Sequence, residues 1–407
     1  MTQNQNAGKG SGRGYMVGGV ALIYFIAALE IVIMISPFAF FFYSVFNPIL
    51  LGLNRWGGTR WLTAFFLPHM IVPPTPLLVG LRVLGSILFI AGTLIFLISA
   101  GQVYIGKILK WGVASRGFYA LIRHPQYTGL AMAGTGLAIL WPRFLTLIFL
   151  GVMMFLYYLL AKDEEQRMLR RYGESYQAYR ERTGMFFPRS SRRRAAARPL
   201  RLLNAVVLFV LLVGGAAAVG FVLRAYTVAH LPLETIDGVD VISILPNDVP
   251  LADGLLQSAE RDPQIAERLQ SMQTTQGART LAYIVPVNYV MQGMIANTGP
   301  EWMLFQRHQT LPMITDYIIN PMGHLQGGGH MSHMGPMTHD SPAMKRRIIF
   351  IGVQGNQPLR SATADFGIND TRVPRFFVDV HLHSNEVLQV QDTPGGTGWG
   401  DVPTPMF

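Results

Sequence analysis

Two short clusters in this 407-residue chain carry side chains that could act together chemically. The first runs Gly117-Phe118-Tyr119-Ala120-Leu121-Ile122-Arg123-His124-Pro125-Gln126-Tyr127-Thr128-Gly129. The second is Lys162-Asp163-Glu164-Glu165-Gln166-Arg167, followed by Tyr172-Gly173-Glu174-Ser175-Tyr176-Gln177-Ala178-Tyr179 and closed by Phe186-Phe187-Pro188. Two apolar runs, 127–140 and 144–161, lie between them and are split by Trp141-Pro142-Arg143, the pattern of a helical hairpin. Pro125 is a favourable first residue for the short first arm. The hairpin returns Glu164 and Glu165 to the bilayer face at which Arg123 and His124 enter. Ionisable groups at that depth are costly without partners, so two such clusters brought together suggest a site. Arg123, Lys162 and Arg167 as plain membrane-flank anchors, paired with the glutamates, would explain one cluster better than two.

A third cluster lies far downstream. Five Met and four His fall within residues 322–344, including Met322, His324, His330, Met331, His333, Met334, Met337, His339 and Met344. Thioether and imidazole groups suit copper, Cu(I) above all. The candidate ligands are His324, His330, His333, Met334 and His339, on a Gly-rich loop that would let them converge. A flexible linker of the same composition is the competing reading. His381 and His383 have strand spacing and could join such a site or form a surface-exposed pair. The chain has no cysteine, so neither a disulfide nor a thiolate enters the chemistry.

The elements that must position these groups follow from composition. Half of the residues are apolar and 14% are charged, against about 25% in soluble domains. Disorder is excluded and a purely soluble enzyme disfavoured. Residues 1–14 are a polar tail. Met16–Phe46, interrupted by Glu30 and Pro37, is long enough to cross a bilayer with a break near Ser36-Pro37, and lacks a signal-peptide cleavage site. Trp61–Val72 is too short to span and fits an interfacial position. Leu77–Ala100, the two hairpin arms and Leu202–Tyr226 complete about five crossings.

Charge orients them. The tail and the loops 101–126 and 162–201 hold 18 Lys and Arg, while 47–76 and the hairpin turn hold 3. The positive-inside rule puts the first set in the cytoplasm and, after five crossings, residues 227–407 outside, at a plasma or inner membrane. Residues 1–225 carry 23 Lys and Arg against 6 Asp and Glu, whereas the remainder carries 10 against 17. The pI near 9.9 is therefore a membrane-flank property and no nucleic-acid surface is indicated.

The resulting fold class is an α-helical membrane protein followed by a mixed α/β or β-rich soluble domain. Its divisions are 1–14, a membrane domain over 15–201, a last transmembrane helix at 202–226, and 227–407. Strand-like runs occur at Val239–Leu245, Thr280–Val290, Arg347–Val353, Arg375–Val380 and His381–Val390, with a helical stretch over Leu251–Met272.

The order Gly117 to Tyr127, hairpin, Glu164-Glu165, Tyr172 to Tyr179 and Phe187-Pro188 resembles the isoprenylcysteine carboxyl methyltransferase family of integral-membrane methyltransferases. The resemblance covers residues from about 101 to 188, and 227–407 has no counterpart in it. It implies S-adenosylmethionine as methyl donor, with His124, Pro125, Tyr127 and Glu164 around the donor and Glu165 as the alternate carboxylate. No G-x-G-x-x-G follows a strand, so a Rossmann-type methyltransferase is not indicated. An in-line transfer to a carboxylate needs no general base, which leaves alignment as the task. Arg123 is the candidate for orienting an anionic acceptor or the donor carboxylate, with Glu165 beside it as the second catalytic candidate and Arg171 as a lesser one. The implied partners are the lipid bilayer and an apolar small-molecule, lipid or lipidated acceptor. A membrane-anchored accessory protein whose outer domain binds copper or a partner is the alternative from a different class.

Overall fold

The computed structural model describes residues 49–50, 52–68, 75–109, 115–189, 202–274, 278–287, 344–354, 366–368 and 370–393. Among the described residues, the long helices of the first part are α1 (Pro76–Ile108), α2 (Pro125–Leu140), α3 (Phe144–Arg182) and α4 (Leu202–Ala229). Three of them, α1, α3 and α4, are long and apolar enough to cross a membrane. The apolar run Met16–Phe46 lies outside the described residues. α1 starts at Pro76, where the Thr75 hydroxyl accepts the Leu78 N–H, the pairing that satisfies a free donor of the first turn.

Backbone contact holds α1 to α2. The buried face of α1 carries Leu78, Gly85, Gly92, Ser99 and Gly106, one residue in seven. It meets Gly129 and Gly136 of α2, also seven apart. A Cβ on Gly92 would lie 2.5 Å from the Gly129 carbonyl, and one on Gly136 2.5 Å from the Gly85 carbonyl. Small residues at such spacing let apolar helices approach where hydrophobic burial offers little drive.

α3 and α4 pack antiparallel. A Cβ on Gly151 would lie 3.0 Å from the Leu212 carbonyl, and one on Gly220 2.8 Å from the Phe144 ring. At the Trp141-Pro142-Arg143 turn, residues 64–67 of the segment expected at the interface pack against the hairpin. Ala64, Phe65, Phe66 and Leu67 are buried, Phe66 N–H donates to the Pro142 carbonyl at 2.8 Å, and Phe144 N–H donates to Ala64 at 3.0 Å. The buried Arg143 guanidinium donates to the Thr63 carbonyl and stacks 4.2 Å from the Phe65 ring centroid.

The region 162–201, expected as a loop, is helical through Arg182. Ion and amide pairs four residues apart, Asp163 with Arg167 and Gln177 with Glu181, support helix beyond the apolar stretch.

The second part is a six-stranded mixed sheet: β1 (Leu233–Ile236), β2 (Val239–Ser243), β3 (Ala278–Pro286), β4 (Lys345–Gln354), β5 (Thr371–His381) and β6 (Val387–Asp392), in that spatial order. Among the described strands only β2 and β3 pair in parallel, and they are joined through α5 (Ala252–Glu260) and α6 (Pro263–Thr274). The single helix expected over Leu251–Met272 is thus two, interrupted before Pro263, whose ring cannot continue a helix begun upstream. β1 went unread in the sequence, although Asp237-Gly238, both at positive φ, is the turn pair that closes a two-residue hairpin. The run His381–Val390 is divided: His381 ends β5, β6 begins at Val387, and a turn with Asn385 at φ 55° separates them. His381 is buried and accepts the Ser384 N–H at its Nδ1, so the expected surface pair has one member inside.

Two apolar layers flank the sheet. α5 and α6 cover the face bearing Val239, Ala282, Ile348 and Phe376, while Val228 and Leu231 at the end of α4 pack on the face bearing Ile242, Tyr283 and Ile349. Arg346 and Arg347, adjacent on β4, are buried against Asp248 and Asp379 with two hydrogen bonds each.

The glycine contacts yield a direct test. Gly92→Ala should lower the thermal midpoint of the purified protein, with an overpacking penalty of roughly 1–3 kcal/mol. Gly80→Ala, where an added Cβ meets nothing within 4 Å, should leave it unchanged.

Candidate functional site

The site is assembled from the ends of three helical pieces. Residues 117–120 form one 3-10 turn, after which the chain runs extended into α2, whose first residue is Pro125. Beside it returns the segment following α3: Ile122 bridges Gly184, Arg123 N–H donates to the Gly184 carbonyl at 2.8 Å, and His124 N–H donates to Met185 at 3.2 Å. The third piece is the middle of α3, carrying Glu164 and Glu165.

α3 reaches this return because it breaks at Gly173, with φ 52° and ψ −124°. That combination is essentially confined to glycine. The turned portion brings Tyr179 back to donate to the Tyr119 carbonyl at 2.7 Å, and sets Arg180 and Thr183 beside Arg123.

Arg123 is 9% exposed and its guanidinium is committed. Its Nε donates to Glu165 Oε1 at 2.6 Å, and Nη1 donates to the Arg180 carbonyl at 3.0 Å and to the Thr183 carbonyl. Glu165 is equally buried, with Arg180 Nε 3.6 Å from its other oxygen. The sequence expectation that Arg123 faces an acceptor therefore meets a side chain surrounded by its own protein. Arg180, Thr183 and Met185 escaped the sequence reading because a buried arginine and two backbone carbonyls leave no pattern in it.

Glu164 differs. Its side chain is about half exposed (49%), Oε1 accepts the Tyr127 hydroxyl at 2.6 Å, and Oε2 lies 3.4 Å from His124 Nδ1. His124 Nε2 lies 3.5 Å from Glu165 Oε1, so the ring sits between the two carboxylates. Burial works against an imidazolium here, yet hydrogen bonding and charge from Glu164 and then Glu165 outweigh it and hold the His124 pKa above the ordinary 6.5.

Aromatic faces continue the site inward. His124 stacks on Tyr127 (centroids 5.7 Å apart), Tyr127 stacks on Tyr157 (5.3 Å), and Phe186 lies 5.9 Å from His124. Tyr157 sits two turns before Glu165 on α3. The apolar run that contains it hid it among core residues.

Of the sequence-predicted residues, Arg123, His124, Pro125, Tyr127, Glu164 and Glu165 thus converge. The proposed copper ligands His324, His330, His333, Met334 and His339 lie outside the described residues. Among the described residues, no group of three or more His, Asp or Glu side chains could hold a metal ion.

The half-exposed Glu164 carboxylate can meet an ammonium or hydroxyl group of a ligand, beside the buried stack of His124, Tyr127 and Tyr157.

Residues 77–175 match the family model described as phospholipid methyltransferase, and the C-terminal region is unmatched. That span covers α1, α2 and α3 as far as the kinked portion. No match was found among curated proteins or among solved structures.

Two outcomes follow from the geometry. Because the folded pKa of His124 lies above the unfolded value, its protonation stabilises the fold. That contribution is complete below pH 6.5 and is lost as pH rises through the folded value. Thermal midpoints measured across pH should show this alkaline loss in the parent protein and a flattened profile in His124→Gln. Separately, Gly173→Ala adds a Cβ in open space, so any destabilisation comes from backbone strain alone. About 1–3 kcal/mol is expected in urea unfolding of the site end.

Proposed function

We propose that the protein is an integral-membrane methyltransferase that uses S-adenosylmethionine to methylate a nucleophile on an apolar, membrane-associated acceptor. The observation that carries this reading is the convergence of His124 and Tyr127 with Glu164 and Glu165 at one end of helices long and apolar enough to cross a bilayer. The family match over residues 77–175 supports the same reaction class.

S-adenosylmethionine supplies an electrophilic methyl group on a sulfonium sulfur. His124, Tyr127 and Glu164 are the side chains that would hold it, with Glu164 as the carboxylate open to a ligand. Pro125 fixes the start of α2, so that His124 and Tyr127 lie on one side of it. Arg123 and Glu165 act as positioning residues. Their ion pair ties the α2 entry to α3, and the Arg123 bonds to the Arg180 and Thr183 carbonyls tie both to the returning segment. The stacked Tyr127 and Tyr157 rings exclude water from the inner side.

A carboxylate acceptor is already ionised near neutral pH and needs no base. An amine acceptor must first lose a proton, and the Glu164–His124 pair is the group placed to receive it. Alignment is then the main contribution of the protein.

The distribution of basic residues supports five crossings, with the tail and the site on the cytoplasmic face and the sheet region from about 227 onward outside. Loops 101–126 and 162–201, which flank the site, hold 16 Lys and Arg.

Donor affinity tests the reading. In detergent-purified protein, Glu164→Gln and Tyr127→Phe should each weaken S-adenosylmethionine binding by roughly tenfold, about 1.4 kcal/mol. Unchanged affinity in both would sink the assignment. Native membranes given methyl-labelled donor should yield a labelled, solvent-extractable product only when the protein is present.

A further inference from the structure

Two apolar side chains beside the methyl-transfer site have no part in its geometry. Phe186 turns inward to His124, and the Thr128 hydroxyl lies 3.3 Å from its carbonyl. Its neighbour Phe187 turns the other way and is 79% exposed. Leu121 is 56% exposed, on the segment that meets this one through the Ile122–Gly184 bridge. More than half of each residue is therefore uncovered by protein. Yet both flank the backbone bonds that close the site, from Arg123 N–H to Gly184 and from His124 N–H to Met185.

α1 sets the depth of this surface. Its exposed apolar stripe passes through Ile87, Ile90, Leu94 and Ile98 and continues through Ile105 to Ile108. The 33 residues of α1 are about 50 Å long at 1.5 Å each. A bilayer with its headgroup layers measures about 40–45 Å, so the end of the stripe falls at headgroup depth. Gln102 Nε2 donates to the Arg116 carbonyl at 2.9 Å, and Gln126 Nε2 donates to the Ser99 carbonyl at 3.4 Å. The chain between Arg116 and Gln126 thus runs beside α1 near Ser99 and Gln102. Ile108 lies nine residues past Ser99, about 13 Å further along the helix. Leu121, and Phe187 across the bridge from it, therefore stand at a level where α1 still presents apolar surface outward.

The composition of this end fits lipid. Tyr104 and Lys107 are exposed on the last turns of α1. Tyrosine gathers at membrane–water boundaries, and lysine can lay its stem along apolar surface while its charge reaches water. No Asp or Glu occurs between Gly101 and Gln126, so this stretch carries no negative side chain to repel phosphate headgroups.

We propose that Leu121 and Phe187 are immersed in the headgroup layer of the leaflet at this end of the bundle, where lipid contact holds residues 184–188 over the entry to α2. The occupant is lipid because the surface continues the outward face of a helix suited to crossing a bilayer. The inference rests on that crossing and not on which molecule is methylated.

The chain has no cysteine, so single-cysteine variants of the full chain give unique labelling sites in phosphatidylcholine nanodiscs. Leu121→Cys and Phe187→Cys are compared with Glu174→Cys, an exposed position at the tip where α3 turns back. An environment-sensitive fluorophore at 121 or 187 should be quenched by headgroup spin-labelled lipid and spared by aqueous iodide, with the reverse at 174. Iodide quenching at 187 equal to that at 174 overturns the proposal. So does protection from iodide without quenching by lipid, the outcome if a second copy of the chain covers this surface. Phe187→Ser supplies a second readout, since it removes a side chain that the protein barely covers. Amide exchange at Arg123 and His124 should rise roughly tenfold in nanodiscs, and Glu174→Ser should leave it unchanged. Unaltered exchange in Phe187→Ser overturns the holding role of the lipid contact.

Discussion

A guanidinium and a carboxylate, both withdrawn from water, meet at 2.6 Å where three separate stretches of chain converge. Arg123 comes from the entry to α2, Glu165 from the middle of α3, and the carbonyls of Arg180 and Thr183 from the portion of α3 that has turned back. Burying one such charge alone costs several kcal/mol, and removing one partner of such a pair typically costs about 3–5 kcal/mol. The pair is therefore acceptable only with the three stretches assembled. Their assembly brings Glu164, one residue along, up to Tyr127 and His124. The exposed, reactive-looking carboxylate owes its place to the buried one beside it.

The same economy of buried cations appears at the other end of the bundle. Arg143 and Arg224 are buried and reach backbone carbonyls of the segment 63–65. Arg224 also reaches Phe366, between β4 and β5, so that one side chain joins α4, the segment before α1 and the sheet region. Carbonyls are suitable acceptors here because loop backbone folded into an apolar setting would otherwise be left unsatisfied. Arginine, with several donors in a fixed fork, can serve two loops at once.

The helical and sheet regions solve packing by different means. Where lipid can cover apolar surface, α1 and α2 gain close backbone approach from glycines rather than from large side chains. The sheet follows the rule for water-soluble folds: branched and aromatic side chains fill both faces, and the two buried arginines of β4 are each fully matched by an aspartate. The unequal charge of the two halves of the chain reflects these two solvents.

The sequence alone determined the apolar helices α1, α3 and α4, the hairpin between the two clusters and most of the strands, and it singled out His124, Tyr127, Glu164 and Glu165 as residues that meet. These are properties of local pattern: apolar run length, alternation, and motif spacing. It misjudged the length of α3, because a basic composition near a membrane reads as loop although its pairs four residues apart sustain a helix. It also joined α5 to α6 and passed over β1, since short elements are settled by the sheet they enter. Only the tertiary structure decided that Arg123 is turned inward, that Glu164 rather than Glu165 is open, and that Arg180, Thr183 and Tyr157 lie against these residues. Which of two adjacent carboxylates is buried depends on the break at Gly173 and on what returns after it. Burial is set by contacts between residues distant in the chain, and no spacing along the sequence encodes it.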